Sequence, residues 1–315
     1  MKIPPRYQVT PELVATIVEI DSLNRFFNHL NVPETLKLKL NRASLLKSSL
    51  FSAKIEGASK KQEINNIIKA YSGLENYFKK SKKIDQKLIL SLHHQVMAKI
   101  DSSAGHYRKE MGGIFDQAGN VVYLPPPPTE ISPLMGDLVS YINSNQEKFP
   151  LVTALVAHLI FEKIHPFIDG NGRVGRLLIG AVLKSKGYNL PLLVPFEEYL
   201  EKHRSDYYYY LDIGFKDCDV YLKFMLQAFL NQILKTRNQL MDELKQPSSH
   251  LMTPRREEII NIIKDHRQVS LDFLSRRFLT VTSRMIRYDL KKLVDEGKVV
   301  KVGRTRGAFY RIKSD

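Results

Sequence analysis

The chain has 315 residues and a net charge of +15, and it contains one cysteine. A single cysteine excludes an internal disulfide, and no apolar stretch approaches the ~20 residues that a membrane-spanning helix needs. The N-terminus lacks the apolar run of a secretion signal, so the sequence predicts a cytoplasmic protein that does not bind a membrane.

Helical spacing of apolar residues predicts a mainly α protein. In the first half of the chain, helices are predicted over residues 11–30, 33–55, 59–71, 85–100, 132–147 and 151–164. Farther on, helices are predicted over residues 171–186, 198–214 and 218–245.

The segment 105–128 differs from the rest because it is rich in glycine and alternates in polarity. This pattern predicts a β-hairpin over residues 112–124, with its turn at Gln117–Asn120. The prolines from Pro125 to Pro128 then predict a short extended stretch.

The character of the chain changes after residues 246–252, a predicted linker. From Leu251 to Asp315 there are 16 Lys and Arg against 8 Asp and Glu, a net charge of +8 (16 − 8). Helices are predicted from Thr253, over 271–278 and over 282–296, followed by strands at 298–302 and 308–312. Thr253, Ser270 and Thr282 are the predicted N-caps.

The loop at residues 165–176 leads directly into a predicted helix. Its glycines leave backbone N–H groups free to point into the turn, and a helix N-terminus adds positive potential, so the loop suits a phosphate. Asp169 offers a hard carboxylate for Mg²⁺, while Arg173 and Arg176 share one helix face toward further phosphate oxygens. A neutral His165 is able to take a proton from a hydroxyl. The combination indicates phosphoryl or nucleotidyl transfer.

The same segment, His165-Pro166-Phe167-Ile168-Asp169-Gly170-Asn171-Gly172-Arg173-Val174-Gly175-Arg176, resembles the Fic family signature H-P-F-x-D-G-N-G-R-x-x-R at all nine specified positions. The resemblance implies a Fic-type helical bundle with a β-hairpin flap. It also implies a protein adenylyltransferase, an enzyme that transfers AMP from ATP to a Ser, Thr or Tyr hydroxyl of a target protein and uses Mg²⁺.

The resemblance implies roles for individual residues. His165 would be the general base, Phe167 would anchor the loop, and Asp169 would hold Mg²⁺. The implied ATP-binding residues are Gly170, Asn171, Gly172, Arg173, Val174, Gly175, Arg176 and, against adenine, Tyr208. The implied flap residues, which would hold the backbone of the target as an added strand, are Val121, Val122 and Tyr123.

A second family pattern, [S/T]-x-x-x-E-[G/N], matches Ser52 to Gly57 at the end of a predicted inhibitory helix at about 36–56. Ser52 and Glu56 are i,i+4 neighbours on one helix face. In the family this glutamate pairs with the second signature arginine, here Arg176, and ATP then binds in an unproductive pose. The resemblance therefore implies an autoinhibited enzyme.

The C-terminal segment resembles a winged helix-turn-helix, which implies DNA as a partner. Its third helix would present Arg284, Arg287 and Lys291 to the major groove, and Arg304 and Arg306 would contact phosphate or the minor groove. A dimerisation or target-docking surface is the alternative function of this segment.

The predicted domains are an N-terminal helical region (1–100), a Fic catalytic core (101–245), the linker (246–252) and a winged helix (253–315). Two other functions stay open, namely a nucleotide-sensing DNA-binding regulator and removal of AMP by the same site. The sequence also leaves open whether the chain modifies itself and whether it forms a homodimer.

Overall fold

The computed structural model describes residues 1–58, 60–115, 121–188, 194–245, 253–278, 281–303 and 308–313. The chain forms two compact units, Met1–Asn31 with Lys39–Leu240 and Val32–Leu38 with Met241–Asp315. The predicted boundary at residue 100 falls inside the first unit. Within the described residues, no helix is long and apolar enough to cross a membrane.

The described elements up to residue 245 are helices and one short hairpin. In chain order they are α1 (Pro11–His29), α2 (Glu34–Ile55), α3 (Lys61–Phe78), α4 (Gln86–Met97), β1 (Ile114–Phe115), β2 (Val121–Tyr123), α5 (Pro128–Asn143), α6 (Pro150–Ile164), α7 (Asn171–Ser185), α8 (Glu197–Lys202), α9 (Arg204–Ile213) and α10 (Cys218–Lys245). The predicted mainly α fold is therefore confirmed.

Helix α6 lies at the centre of the first unit. Nearly all of its side chains are buried, because it is apolar around its whole circumference. Helices α5 and α7 pack against it, and α3 and α4 pack against α7. The turn between α6 and α7 carries the signature loop, so that loop is fixed at both ends by the best-packed helices of the unit.

Several helix boundaries differ from the prediction, including the end of α4 (Met97 instead of 100) and the end of α5 (Asn143 instead of 147). Helix α3 continues past residue 71 to Phe78, because Leu74 is buried in the core. The predicted helix at 198–214 is broken into α8 and α9 at His203, whose backbone (φ −115°, ψ 43°) is not helical. Helix α5 begins at Pro128, since a proline is well suited to the first turn of a helix.

The predicted β-hairpin is present. Strands β1 and β2 pair antiparallel, with Ile114 opposite Tyr123 and Phe115 opposite Val121. The predicted turn at Gln117–Asn120 lies outside the described residues.

The second unit contains α11 (Pro254–His266), β3 (Gln268–Ser270), α12 (Leu271–Arg277), α13 (Ser283–Asp295), β4 (Val299–Val302) and β5 (Phe309–Ile312). Its antiparallel sheet has the order β3-β5-β4. Strand β3 was not predicted; it consists of three residues, of which Val269 is buried opposite Tyr310.

Side-chain caps begin each helix of the second unit. The predicted N-caps are confirmed, because Thr253, Ser270 and Thr282 each accept a hydrogen bond from the backbone three residues later. The winged helix-turn-helix assignment itself stays a prediction, and the predicted linker lies outside the described residues.

Candidate active site

His165 lies at the C-terminal end of α6 in a left-handed backbone conformation (φ 47°, ψ 60°). Its Nδ1 is 3.3 Å from the carbonyl oxygen of Glu162, and because a carbonyl only accepts, Nδ1 carries the proton. Nε2 of the neutral ring therefore has a free lone pair. Burial lowers the pKa of His165 below its usual range, which favours this neutral form.

Phe167 and Asn171 close the signature loop. The backbone N–H of Phe167 donates to Asn171 Oδ1, and Asn171 Nδ2 donates back to the carbonyl of Phe167, both at 2.9 Å. Phe167 is fully buried, as expected of an anchor. The Asn171 side chain thus holds the loop, so contact with a phosphate would fall to its backbone N–H.

Helix α7 begins directly after Gly170, whose φ of +82° is accessible mainly to glycine. By helix geometry, the N–H groups of the first three residues have no acceptor within the helix. Asp169 precedes this turn, and more than half of its side chain is exposed. An open carboxylate beside an anion-binding helix end fits a Mg²⁺ ion that also contacts phosphates.

Arg173 is buried in the first turn of α7. Its NH2 donates to Asp169 Oδ2 at 2.9 Å, and its NH1 is 3.7 Å from Glu63 Oε1 of α3. The guanidinium therefore lies between two carboxylates, one of which is the candidate metal ligand.

Arg176 is held by the end of α2. Its NH1 is 2.9 Å from Glu56 Oε1, its Nε donates to Ser52 Oγ at 3.0 Å, and its NH2 donates to the Ser52 carbonyl at 2.8 Å. The pairing that the family pattern implied is present. Burial disfavours the charged guanidinium, but Glu56 raises the pKa of Arg176 above its usual range.

The carboxylate of Glu56 also lies against the start of α7. A Cβ added at Gly172 would be 2.3 Å from Glu56 Oε1 and 3.0 Å from Arg176 NH1. Glycine at this position is what allows the carboxylate to approach the helix end. Glu56 therefore lies close to the helix end that the sequence predicts to bind phosphate.

Two residues in the implied ATP-binding set face the protein interior. Val174 is fully buried, and a Cβ at Gly175 would be 2.1 Å from Glu162 Oε1. Their positions support the packing of α7 on α6 rather than contact with a nucleotide. Beneath them His158 is buried, and its Nε2 lies 2.9 Å from the Tyr207 hydroxyl, so it is a packing residue.

Tyr208 lies beside the inhibitory motif with part of its ring exposed. Its hydroxyl donates to the Ile55 carbonyl at 3.2 Å, and the Arg204 guanidinium lies 5.8 Å from the ring centroid. Of the two tyrosines, the buried Tyr207 is a packing residue and Tyr208 has the exposure that stacking on adenine requires.

The flap strand β2 is tied to α6. The Tyr123 hydroxyl donates to the Lys163 carbonyl at 2.7 Å, and Lys163 Nζ lies 4.2 Å from the ring centroid. Val121 is exposed. Within the described residues β2 pairs only with β1, so its other edge is open to an added strand.

Sequence reasoning missed two residues that fix the loop. Arg108 donates to the carbonyls of His165, Glu110 and Pro126, and so joins the loop to both ends of the flap. His93 stacks on the Phe167 ring at 3.7 Å and bonds the Asp169 carbonyl. Neither belongs to a recognisable motif, and their sequence positions carried no signal for these contacts.

In the second unit, helix α13 presents a basic face. Exposed Arg284, Arg287 and Lys291 line a hollow of about 880 Å³ together with Lys301 of β4. Asp289, on the opposite face of α13, is buried against Arg255 and Arg256. Arg304 and Arg306, also expected to contact DNA, lie outside the described residues.

Comparison with known proteins identifies the domain that carries this loop. A model described as the Fic/DOC family matches residues 83–183. The chain carries a Fic domain. The Protein adenylyltransferase Fic of Drosophila mojavensis is 34% identical over 137 residues, which is 42% of this chain and 24% of that protein. The Protein adenylyltransferase Fic of Aedes aegypti is also 34% identical over 137 residues, which is 42% of this chain and 24% of that protein. The match therefore spans about a quarter of the curated relatives' length.

Solved structures extend the similarity of fold to nearly the whole chain. A Fic family protein from Desulfovibrio desulfuricans has a TM-score of 0.69 at 23% identity, covering 99% of this chain and 98% of that one. Fic-1 from C. elegans (residues 134–508) has a TM-score of 0.59 at 20% identity, covering 74% and 75%. The arrangement of helices around the Fic domain is thus shared.

Proposed function

We propose that the chain transfers AMP from ATP to a hydroxyl of a target protein and that Glu56 holds it in an inhibited state. The observation that carries the proposal is the position of His165: a neutral imidazole with a free Nε2 stands at the edge of an anion-binding helix end. The relatives named protein adenylyltransferase share this domain.

Each group in the loop has a part in the reaction. His165 Nε2 takes the proton of the target hydroxyl, whose oxygen attacks the α-phosphorus of ATP. The bond from the α-phosphorus to the bridging oxygen breaks, and pyrophosphate leaves. The N–H groups at the start of α7 bind the phosphate oxygens, and Arg173 adds a positive charge. Asp169 would hold Mg²⁺, which neutralises charge on the phosphates.

Inhibition follows from competition for one arginine. Arg176 bonds Glu56 and Ser52 and so cannot also bind the γ-phosphate, and the Glu56 carboxylate repels phosphate at the same helix end. If this state is favoured by about 2–3 kcal/mol, activity is lowered roughly 30- to 150-fold. Replacing Glu56 should therefore raise the activity by the same factor.

The test uses α-labelled ATP, Mg²⁺ and cell lysate with the purified wild-type protein and three variants. We expect Glu56→Gly to raise protein-bound label roughly 30- to 150-fold, and His165→Ala in the Glu56→Gly background to abolish it. Lys54→Gly is the matched control, because it places glycine in the same helix end without removing the carboxylate. Equal labelling by Lys54→Gly and Glu56→Gly would contradict the inhibitory role, and no label in any protein would contradict AMP transfer.

Removal of AMP by the same site is an alternative outcome of this assay. Label that first appears on a target and then declines in the wild-type protein, but not in Glu56→Gly, would favour removal.

A second candidate function is DNA binding by the second unit. The observation that favours it is the hollow lined by Arg284, Arg287, Lys291 and Lys301, because such clustered cations attract phosphate backbones. Asp289 of α13 faces inward to Arg255 and Arg256, and among the described residues that line the hollow Asp272 is the one carboxylate against four cations.

DNA binding can be measured by fluorescence anisotropy with a labelled duplex at several salt concentrations. Replacing Arg284, Arg287 and Lys291 with alanine should weaken binding and reduce the slope of log K against log salt by about 3. Lys264→Ala, an exposed cation of α11, is the control. Equal effects of the control and the triple variant would count against this face.

A further inference from the structure

The two signature arginines are each paired with an acidic residue from one short N-terminal segment. Glu56, at the end of α2, pairs with Arg176, and Glu63, in the first turn of α3, faces Arg173. The family pattern covers Glu56 alone. The contact made by Glu63 has no counterpart in the motifs found in the sequence.

Glu63 uses its two carboxylate oxygens differently. Oε2 accepts the backbone N–H of Lys60 at 3.0 Å, which caps the start of α3. Oε1 lies 3.7 Å from Arg173 NH1. The cap fixes the side chain at the helix start, so the second oxygen is held toward the guanidinium.

Arg173 has unused donors despite its burial. Its NH2 bonds Asp169 Oδ2 at 2.9 Å, whereas its Nε and NH1 make no hydrogen bond within the described part of the chain. A buried guanidinium with unused donors is ready to receive an anion. Glu63 and Asp169 are the two carboxylates that balance its charge in the described structure.

We propose that Glu63 is a positioning residue for Arg173, an inference that rests on the proposed function. A Mg²⁺ ion held by Asp169 would compete with Arg173 for that carboxylate, and the guanidinium would then be free to contact the phosphates. Glu63 supplies the second anion that keeps the guanidinium at the site during this exchange. Without the Glu63 charge, Arg173 has only Asp169 as an ionic partner among described residues, and that pair competes directly with Mg²⁺.

Substitutions of Glu63 and Glu56 are expected to have opposite effects on the use of Mg-ATP. Removing Glu56 frees an arginine for ATP and raises transfer, whereas removing the charge of Glu63 weakens binding of Mg-ATP. Glu63→Gln is the informative substitution, because the amide oxygen still accepts the Lys60 N–H while the charge is lost. Glu75→Gln, also on α3 and paired with Lys184 rather than with the loop, is the matched control.

The experiment measures Mg-ATP binding by calorimetry and AMP transfer kinetics, with both substitutions placed in the Glu56→Gly protein. We expect Glu63→Gln to raise the Kd and the KM for Mg-ATP about tenfold, to leave kcat within about twofold, and to raise the Mg²⁺ concentration for half-maximal binding. Glu75→Gln should change none of these.

Unchanged Kd and KM in Glu63→Gln would overturn the proposal, as would a lower kcat and melting temperature at unchanged KM, which would indicate a structural role alone. The calorimetric Kd does not depend on catalysis. If Glu56→Gly binds Mg-ATP but transfers no AMP, the proposed function fails while the role of Glu63 is still decided by binding.

Discussion

His165 combines a strained backbone with a defined ring tautomer. A positive φ is uncommon for residues other than glycine, and it persists where surrounding bonds fix it. Here the His165 N–H donates to the Phe161 carbonyl and the His165 carbonyl accepts from Arg108 Nε. The strain is thus offset by two hydrogen bonds that fix the backbone of His165 at the end of α6.

The lowered pKa of His165 predicts the pH dependence of AMP transfer. A general base acts only when neutral, and because burial lowers the pKa of His165 below its usual value of about 6.5, more than half of the ring is neutral at that pH. The kcat of Glu56→Gly should therefore fall to half of its plateau value at a pH below about 6.5. Samples returned from low pH to pH 7.5 should recover full activity, which controls for unfolding. A half-maximal kcat at pH 7 or above would contradict the lowered pKa.

At the scale of elements, the contact between α6 and α7 carries both the base and the phosphate-binding turn. The two helices approach closely where Gly175 faces Glu162 and His158. Burial raises the pKa of Glu162 to about 8 and lowers that of His158 to about 3, so both are neutral at pH 7. Because both groups are neutral, the interface avoids the large free-energy cost of burying a charge.

The glycines of α7 allow a paired test of this packing. A Cβ at Gly175 would lie 2.1 Å from Glu162 Oε1 and 2.9 Å from His158 Nδ1, so Gly175→Ala should destabilise the protein by about 1–3 kcal/mol. On the same helix, a Cβ at Gly180 would meet no atom within 4 Å, and Gly180→Ala should stabilise by up to about 1 kcal/mol. Urea denaturation gives both values. Equal shifts in the two variants would contradict the close approach at Gly175.

At the scale of the whole molecule, the chain has two compact units with separate cores. The core of the second unit includes Ile259, Ile263, Leu290 and Leu293. Two separate cores are expected to unfold as two cooperative transitions. A ligand of the first unit should raise the stability of that unit by about 2.7 kcal/mol at a hundredfold excess over Kd.

Differential scanning calorimetry can assign the two transitions. Mg-ATP should raise the midpoint temperature of one transition of Glu56→Gly. Asp289→Asn should lower the midpoint temperature of the other transition, because it removes the anion that Arg255 and Arg256 contact. The loss should be about 1.5–3 kcal/mol, as for hydrogen bonds to charged groups. Asp295→Asn, near the exposed end of α13, is the control. One transition that responds to both changes would contradict independent units.

The sequence by itself determined the local features of this protein. Helical periodicity gave the main elements, and three cap residues marked the helices of the second unit. The signature loop and the Ser52–Gly57 pattern carried the family resemblance. Each of these motifs consists of residues within a few positions of one another, whose spacing is visible in the chain. The pairing of Glu56 with Arg176, 120 residues apart, was implied by the resemblance and not by spacing.

The tertiary structure alone decided which distant residues support the loop. His93, Arg108 and Glu63 lie 57 to 110 residues before the groups they contact, Asp169, His165 and Arg173. It also decided that α8 and α9 separate at His203 and that α3 extends to Phe78. Such contacts follow from how the helices pack, because burial selects a partner by position in space and leaves no fixed spacing in the sequence.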